Sequence, residues 1–197
     1  MAEGRDKAGT SMFTAFGAYL IQLRSHIKSS LSDIHLLYMS NWLKLIIALV
    51  LPQLAGLGGV LFTDTGQSSW FQGLEKPSWN PPGWVFGPVW TLLYILMGIA
   101  FYLVWKSETA PKEQKRPAMV FWVIQLVLNF FWTIIFFGAH SPGYAFIEIM
   151  VLWLAIVITI ILFSRVDKRA AWLMVPYLLW VSFASFLNYT IYQMNSL

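Results

Sequence analysis

The sequence predicts an all-α membrane protein, a bundle of five transmembrane helices with a folded loop between the first and second helices. Of its 197 residues, 58% are apolar and 11% are charged, whereas a typical soluble domain carries about 25% charged residues. The mean hydropathy is +0.62. Thirteen Lys and Arg with nine Asp and Glu are too few to cover the surface of a soluble domain of this length. Most of the surface must therefore face lipid.

Five segments are long and apolar enough to span a bilayer, since a spanning helix needs about 20 mostly apolar residues. Continuous apolar runs such as 151–163 favour helices over the alternating strands of a membrane β-barrel. The predicted spans are Leu43–Phe62, Trp84–Trp105, Ala118–Gly138, Tyr144–Ser164 and Ala170–Tyr192.

The positive charges predict the orientation of these spans. Five spans place the N-terminus, the second loop and the fourth loop on one side, and twelve of the 13 Lys and Arg fall there. Only Lys76 falls on the other side. Positive residues accumulate on the cytoplasmic side. We therefore expect an integral multi-pass protein with a cytoplasmic N-terminus if the membrane is a bacterial inner membrane. An organelle membrane is an alternative.

The sequence divides into an N-terminal extension, residues 1–38, and a five-helix transmembrane domain, residues 39–197. Apolar residues recur in the extension at three- and four-residue steps, which predicts an amphipathic helix. They are Met12, Phe13, Phe16, Leu20, Leu23, Ile27 and Leu31. Three interpretations stay open: a membrane-surface helix, an organelle transit segment, or a chain that starts at Met39.

The loops are unequal in length. The first, Thr63–Gly83, is about 20 residues long, and a loop of this length is usually functional or disordered. Its aromatic residues, which include Trp70 and Trp79, argue against disorder. We expect a folded lid across the outer mouth of the bundle. The third loop, around 140–143, is tight, so we expect the third and fourth spans to be antiparallel neighbours.

Three spans each carry an aromatic face with a few polar groups. The residues on these faces are Trp90 and Tyr94 in the second span, Gln125, Asn129 and Trp132 in the third, and Tyr177, Trp180, Ala184 and Asn188 in the fifth. Polar side chains in a bilayer turn inward and find partners. Gln125 and Asn129 could bridge helices or line a cavity.

The tryptophans form two groups, one at the ends of the spans and one in their interior. Five lie at span ends, as expected of anchors at the membrane interface: Trp42, Trp84, Trp105, Trp122 and Trp172. Trp90, Trp132 and Trp180 lie deeper. Several interior indoles around one cavity would form a flat apolar slot for a planar or polycyclic ligand.

Two further side chains leave alternatives open. Glu148 lies one turn inside the fourth span. There it could have a structural role near the membrane surface, since a helix N-terminus favours a negative charge, or it could bind a proton or a ligand. His140 is more typical of a turn residue than of a haem ligand. The sequence offers no catalytic triad, metal cluster, phosphate loop or paired carboxylates.

Three motifs in the sequence are distinctive enough to indicate a protein family. The first loop and second span read WFQGLEKPSWNPPGWVFGPVWTLLY over 70–94. The third span contains QLVLNFFW over 125–132, and the fifth contains VPYLLWVSFA over 175–184. Together they closely resemble the TspO/MBR family, the tryptophan-rich sensory proteins of bacteria and the mitochondrial translocator protein, over about residues 43–195.

The resemblance implies a dimeric five-helix protein that binds porphyrins or haem-type tetrapyrroles. From the residues we expect no obligatory cofactor, no metal site and no nucleic-acid partner. It implies a pocket at Trp90, Trp180 and Ala184, lined by Asn129 and Trp132 and closed by the Pro77–Trp84 loop.

The resemblance also leaves alternatives to a receptor or carrier. Light-dependent porphyrin degradation would use Trp90 and Trp180 as electron donors, and a regulatory scaffold would use the N-terminal extension for docking. The pattern associated with cholesterol binding is Leu or Val, then Tyr, then Lys or Arg at short spacing. Here Leu187, Tyr189 and Tyr192 are followed by no basic residue, which weakens the prediction of sterol binding.

Overall fold

The computed structural model describes residues 4–63, 66 and 69–196, and within the N-terminal 40 residues it describes side chains only for 19–27. The chain divides into two compact units, Met1–Leu43 and Lys44–Leu197. In the first unit, the described apolar side chains Leu20, Leu23 and Ile27 are exposed. Met12, Phe13, Phe16 and Leu31 of the predicted amphipathic face lie outside the described side chains.

Helices account for the regular structure, and the described residues contain no β-strand. In chain order the helices are α1 (Gly4–Val60), α2 (Trp70–Gly73), α3 (Gly83–Lys106), α4 (Lys112–Thr133), which continues into a π-helical turn (Ile134–Gly138), α5 (Pro142–Val166) and α6 (Lys168–Asn195). Within the described residues, five segments are long and apolar enough to cross a membrane. They are Asn41–Val60, Gly83–Lys106, Lys112–Gly138, Pro142–Val166 and Lys168–Asn195. The predicted fold class, an all-α membrane protein with five spans, is confirmed.

The predicted span limits are close to the observed ones, and the largest difference is at the third span. It starts at Lys112, six residues before the predicted Ala118, because the helix begins in the polar sequence KEQKR. Hydropathy detects only the part of a helix that crosses the hydrocarbon, so a polar first turn is invisible to it.

A single residue, Asp167, connects α5 to α6 and caps the N-terminus of α6. Its carboxylate accepts a hydrogen bond from the Arg169 backbone N–H at 2.8 Å and forms an ion pair with the Arg169 guanidinium at 2.9 Å. The Arg169 side-chain hydrogen bond is the main reason that the pKa of Asp167 is lowered. The cap stabilises the start of the helix.

The core lies between α3, α4, α5 and α6, with α3 against α4 and α6, and α5 against α4 and α6. Further along the helix face of α3 that carries Trp90 and Tyr94, Met97 is fully buried and Phe101 nearly so. Trp122 was expected at the membrane interface, and that prediction is wrong. It is fully buried and stacks on Phe101, with ring centroids 4.2 Å apart, because its helix begins earlier than hydropathy indicates.

Close contact between α1 and α3 depends on Gly98. A Cβ placed on Gly98 would lie 2.6 Å from the Ala48 backbone oxygen and 3.0 Å from the Leu49 Cα. A Cβ at Gly56 of α1 would overlap the Tyr94 ring. Small residues allow helix backbones to approach closely in a membrane. Both glycines are therefore used for packing within one chain.

The first loop is folded where it is described. Its helix α2 places Trp70 against Phe136, with ring centroids 5.8 Å apart, and against His140, stacked at 4.5 Å. The loop is joined to the end of α6 by Asn195. That side chain accepts a hydrogen bond from the Glu75 backbone N–H at 3.0 Å and donates one to the Glu75 carbonyl at 2.9 Å.

Candidate ligand-binding site

An aromatic cluster forms where α3 meets α6. The rings of Trp90 and Trp180 are edge-to-face, with centroids 6.5 Å apart and an interplanar angle of 88°. Trp90 also lies 6.2 Å from the Tyr177 ring and 5.3 Å from the Tyr94 ring. Both tryptophans are half-buried, whereas both tyrosines are buried. The structure thus brings together four of the predicted site residues.

Asn129 of α4 joins this cluster through Tyr94. The Tyr94 hydroxyl donates a hydrogen bond to the Asn129 Oδ1 at 2.9 Å, and both side chains are buried. The Tyr177 hydroxyl is buried and has no hydrogen-bond partner among the described groups. The polar face of α4 therefore meets the aromatic face of α3 at the Tyr94 hydroxyl.

Trp79 of the first loop lies against the same side of α6. Its ring stacks on Phe186 at 5.2 Å and approaches Phe183 edge-to-face at 6.0 Å. Phe183 in turn lies 5.6 Å from Trp180, and Ala184 packs against the main core. The loop thus reaches the aromatic cluster through one intervening phenylalanine.

Trp132 and Asn188 form a separate group that links three helices. The Trp132 Nε1 donates to the Asn188 Oδ1 at 3.1 Å, and the Asn188 Nδ2 donates to the Pro142 carbonyl at 2.8 Å. Trp132 also stacks on Phe136 at 5.1 Å. Both polar groups of Asn188 are hydrogen-bonded within the fold, so its contacts position α5 and α6.

Several buried polar groups of α4, α5 and α6 have no hydrogen-bond partner within the described part of the chain. They include the Trp180 Nε1, the Tyr177 hydroxyl, both polar atoms of the Gln125 amide and both oxygens of Glu148. An unsatisfied buried donor or acceptor costs about 1–3 kcal/mol. A ligand or water that supplied the missing hydrogen bonds would recover that cost.

A hollow that the sequence did not predict lies at the end of the bundle beside α2. It is a cavity of about 550 Å³ between α2, the start of α5 and the end of α6. Its lining includes Trp70, His140, Tyr192 and Asn195. His140 has a positive φ of 50°, which the sequence analysis anticipated only as a turn. The signal for the cavity is weak in sequence, because its residues come from three distant segments.

The aromatic cluster presents large apolar rings and a few polar groups, a chemistry that suits a flat apolar molecule. The described residues contain no group of three or more His, Cys, Asp or Glu that could hold a metal ion. Aromatic side chains supply large apolar area and ring stacking. The indole N–H and tyrosine hydroxyl groups supply the few polar contacts that orient a ligand.

Comparison with known proteins gives a family match over most of the chain. The model of the TspO/MBR family matches residues 48–194. The chain is 47% identical to the tryptophan-rich protein TspO of Chlorobaculum tepidum over 144 residues, which are 71% of this chain and 88% of that protein.

More distant relatives are also similar. The chain is 39% identical to the human translocator protein over 73% of this chain and 85% of that protein. It is 38% identical to the tryptophan-rich sensory protein of Cereibacter sphaeroides, over 75% of this chain and 92% of that protein. Five apolar helices within the described residues, the three tryptophan-containing motifs and a family match over most of its length show that the chain belongs to the TspO/MBR family.

Proposed function

We propose that this protein is an integral membrane receptor or carrier that binds a tetrapyrrole, such as a porphyrin or haem, at the aromatic cluster of Trp90, Tyr94, Tyr177 and Trp180. The observation that carries the proposal is the edge-to-face pair of Trp90 and Trp180, whose Trp180 Nε1 is buried and unpartnered among the described residues. Two half-buried indoles with a free N–H suit a flat ring with polar edges.

Binding would draw on apolar burial and ring stacking, and the polar groups would set orientation. The Trp180 Nε1 and the Tyr177 hydroxyl are donors without partners in the described structure, so each can bond an acceptor on the ligand. Trp79, held between Phe183 and Phe186, would cover the ligand from the loop side. Movement of the loop would then control entry and release.

The substitution Trp180→Ala tests the site. We expect it to weaken binding of protoporphyrin IX by about tenfold or more, because it removes an aromatic contact and a hydrogen-bond donor. Binding is followed by Trp fluorescence in detergent. The matched control is Trp172→Ala on the same helix, since Trp172 is 73% exposed and should leave affinity unchanged. Equal affinity in wild type and Trp180→Ala would reject the site.

A second candidate function is light-dependent porphyrin degradation. The observation that favours it is the proximity of two oxidisable indoles, Trp90 and Trp180, at 6.5 Å. In this function an excited porphyrin and oxygen would be the oxidants. Loss of porphyrin should then require light and disappear in the Trp90→Phe/Trp180→Phe variant. Loss in the dark, or loss that survives both substitutions, would contradict it.

We also propose that the protein is a homodimer, as the family resemblance implies. Gly56 and Gly98 pack against residues of the same chain, so the proposed interface uses other positions. Chemical crosslinking in native membranes tests this proposal. A dimer band at low expression supports it, and a monomer at every crosslinker concentration contradicts it.

A further inference from the structure

One end of the bundle carries an excess of positive charge. The segment 106–116, which joins α3 to α4, and the segment 165–169, at the junction of α5 and α6, together contain seven Lys and Arg and three Asp and Glu. The described connections at the opposite end contain a single Lys or Arg, Lys76. Long basic side chains at the ends of membrane helices reach the level of the lipid headgroups. The basic end of the bundle therefore presents a positive surface to that layer.

Most of these positive charges have no carboxylate partner. The one ion pair in the described part of the chain joins Asp167 to Arg169 at 2.9 Å. The Lys106 ammonium lies over the Tyr102 ring, 4.7 Å from its centroid. The Lys115 ammonium donates to two backbone carbonyls at the end of α3, at 2.6 and 3.0 Å, and so fastens α4 to α3. Because these contacts neutralise little of the charge, the basic end attracts an anionic partner.

A hollow of about 490 Å³ brings the two basic segments together at one surface. We call it the basic hollow. The end of α3 and the loop after it contribute Lys106 and Thr109 to its lining, and the junction of α5 and α6 contributes Arg169. Leu103 and Val166 add an apolar part. Ammonium, hydroxyl and guanidinium groups are hydrogen-bond donors to phosphate oxygens, so the lining suits a phosphate joined to an apolar group.

The basic hollow also contains two carboxylates, and they differ in their pairing. Asp167 is neutralised by Arg169, whose guanidinium uses its Nε and one Nη2 hydrogen for this contact and keeps its other N–H groups. Glu108 is exposed and has no ion-pair partner in the described part of the chain. Its charge opposes an anion in the hollow. Removal of the Glu108 charge should therefore strengthen anion binding, whereas removal of the Lys106 charge should weaken it.

We infer that the basic hollow binds the phosphate headgroup of an anionic phospholipid in the leaflet at this end of the bundle. The hollow lies at the ends of two apolar spans, Gly83–Lys106 and Lys168–Asn195, which places it at headgroup depth. Basic pockets between membrane helices suit anionic headgroups. Leu103 and Val166 would contact the glycerol and the first methylene groups, which a free phosphate lacks. The site is separate from the aromatic cluster and independent of the ligand proposed there.

Native mass spectrometry of the purified full-length protein in detergent tests the inference. Phosphatidylglycerol and phosphatidylcholine with the same acyl chains are titrated separately, and the fraction of protein that retains one lipid is measured. In the wild type we expect the first phosphatidylglycerol to bind about fivefold or more tightly than phosphatidylcholine, which corresponds to one basic contact at the membrane surface. Glycerol 3-phosphate, a soluble phosphate ester, should not displace the lipid at equal concentration.

The charge variants should move phosphatidylglycerol affinity in opposite directions. We expect Lys106→Gln to weaken it about fivefold, Lys106→Arg to retain it, and Glu108→Gln to strengthen it several-fold, all with phosphatidylcholine affinity unchanged. The matched control is Lys112→Gln, which removes an equal charge from an exposed position at the same end but outside the hollow lining, and should change affinity less than twofold. Equal thermal unfolding midpoints show that the variants are folded.

Four results would overturn the inference. Equal affinity of the wild type for the two lipids would show no preference for an anionic headgroup. A loss in Lys112→Gln as large as in Lys106→Gln would mean a diffuse attraction to the whole basic end. Unchanged or weaker phosphatidylglycerol binding in Glu108→Gln would contradict the charge argument. Displacement by glycerol 3-phosphate at equal concentration would show that the site takes a free phosphate ester. If a variant does not fold, the wild-type comparison of the two lipids still decides.

Discussion

The hydrogen bond between Tyr94 and Asn129 is a buried polar contact between α3 and α4. The substitution Tyr94→Phe would leave the buried Asn129 Oδ1 without its donor. We expect a loss of stability of about 1–3 kcal/mol, seen as a lower thermal unfolding midpoint in detergent. Tyr144→Phe is the control, because Tyr144 is 73% exposed. Equal midpoints for both variants would show that the bond does not stabilise the fold.

Asp167, at the junction of α5 and α6, makes a pH-dependent contribution to the free energy of unfolding. Because the pKa of Asp167 is lowered in the folded protein, chiefly by the Arg169 hydrogen bond, its contribution is present above the unfolded-state pKa of about 3.9. It is lost as the pH falls through the lower folded-state value. Wild type should therefore exceed Asp167→Ala in stability at neutral pH and approach it in strong acid.

The substitution Asp167→Asn separates the two contributions of this residue. Asn can still accept a hydrogen bond at the helix N-terminus, but it cannot form the ion pair with Arg169. We expect Asp167→Asn to lie between wild type and Asp167→Ala in unfolding midpoint at neutral pH. A difference between wild type and Asp167→Ala that persists unchanged in strong acid would contradict the titration argument.

At the scale of residues, helical periodicity was the pattern that best predicted which side chains share a helix face. Trp90, Tyr94, Tyr177 and Trp180 could be placed on two faces because helical spacing repeats along each span, and the structure brings these faces together. Partners between helices could not be predicted. The pairing of Trp132 with Asn188, and of Asn188 with the Pro142 carbonyl, depends on how three helices pack.

At the scale of the elements, the close packing of α1 against α3 should be disrupted by the single methyl group that Gly98→Ala adds. We expect Gly98→Ala to lower the unfolding midpoint, because its Cβ would lie 2.6 Å from the Ala48 backbone oxygen, and backbone moves less easily than a side chain. Gly87→Ala on the same helix is the control, since no atom lies within 4 Å of its added Cβ. A destabilisation as large in Gly87→Ala would contradict this packing argument.

Asn195 hydrogen-bonds the first loop to the end of α6, in addition to the contacts of Trp79 with Phe183 and Phe186. The substitution Asn195→Ala removes both hydrogen bonds to the Glu75 backbone. We expect the loop to be cleaved faster by protease, and a bound porphyrin to dissociate several-fold faster. The control is Gln193→Ala, an exposed neighbour on α6. Unchanged cleavage and dissociation in Asn195→Ala would show that these bonds do not hold the loop.

The elements themselves were largely predictable because hydropathy and span length are strong signals in a membrane protein. Two features were not. The π-helical turn at Ile134–Gly138 lies in an apolar run whose composition does not distinguish it from α-helix. The contact of Asn195 with Glu75 joins positions 120 residues apart, and no local pattern in the sequence links such distant segments.

At the scale of the whole molecule, the distribution of Lys and Arg predicts the topology, with twelve of 13 on one side. Because the chain has no Cys, single cysteines can report orientation. In intact bacteria expressing the chain in the inner membrane, we expect Ser78→Cys in the first loop to react with an impermeant maleimide. Glu113→Cys at the start of α4 should react only after the membrane is opened. The reverse pattern would contradict the predicted orientation.

The most direct test of the central proposal is a titration of the detergent-solubilised protein with protoporphyrin IX in the dark, followed by Trp fluorescence. We compare wild type with Trp90→Phe/Trp180→Phe, and use Trp84→Phe/Trp172→Phe as a control, because those two indoles are 77% and 73% exposed. The proposal predicts saturable quenching in wild type and control that is lost in Trp90→Phe/Trp180→Phe. Linear quenching of equal slope in all three proteins would mean nonspecific partition into detergent and would contradict it.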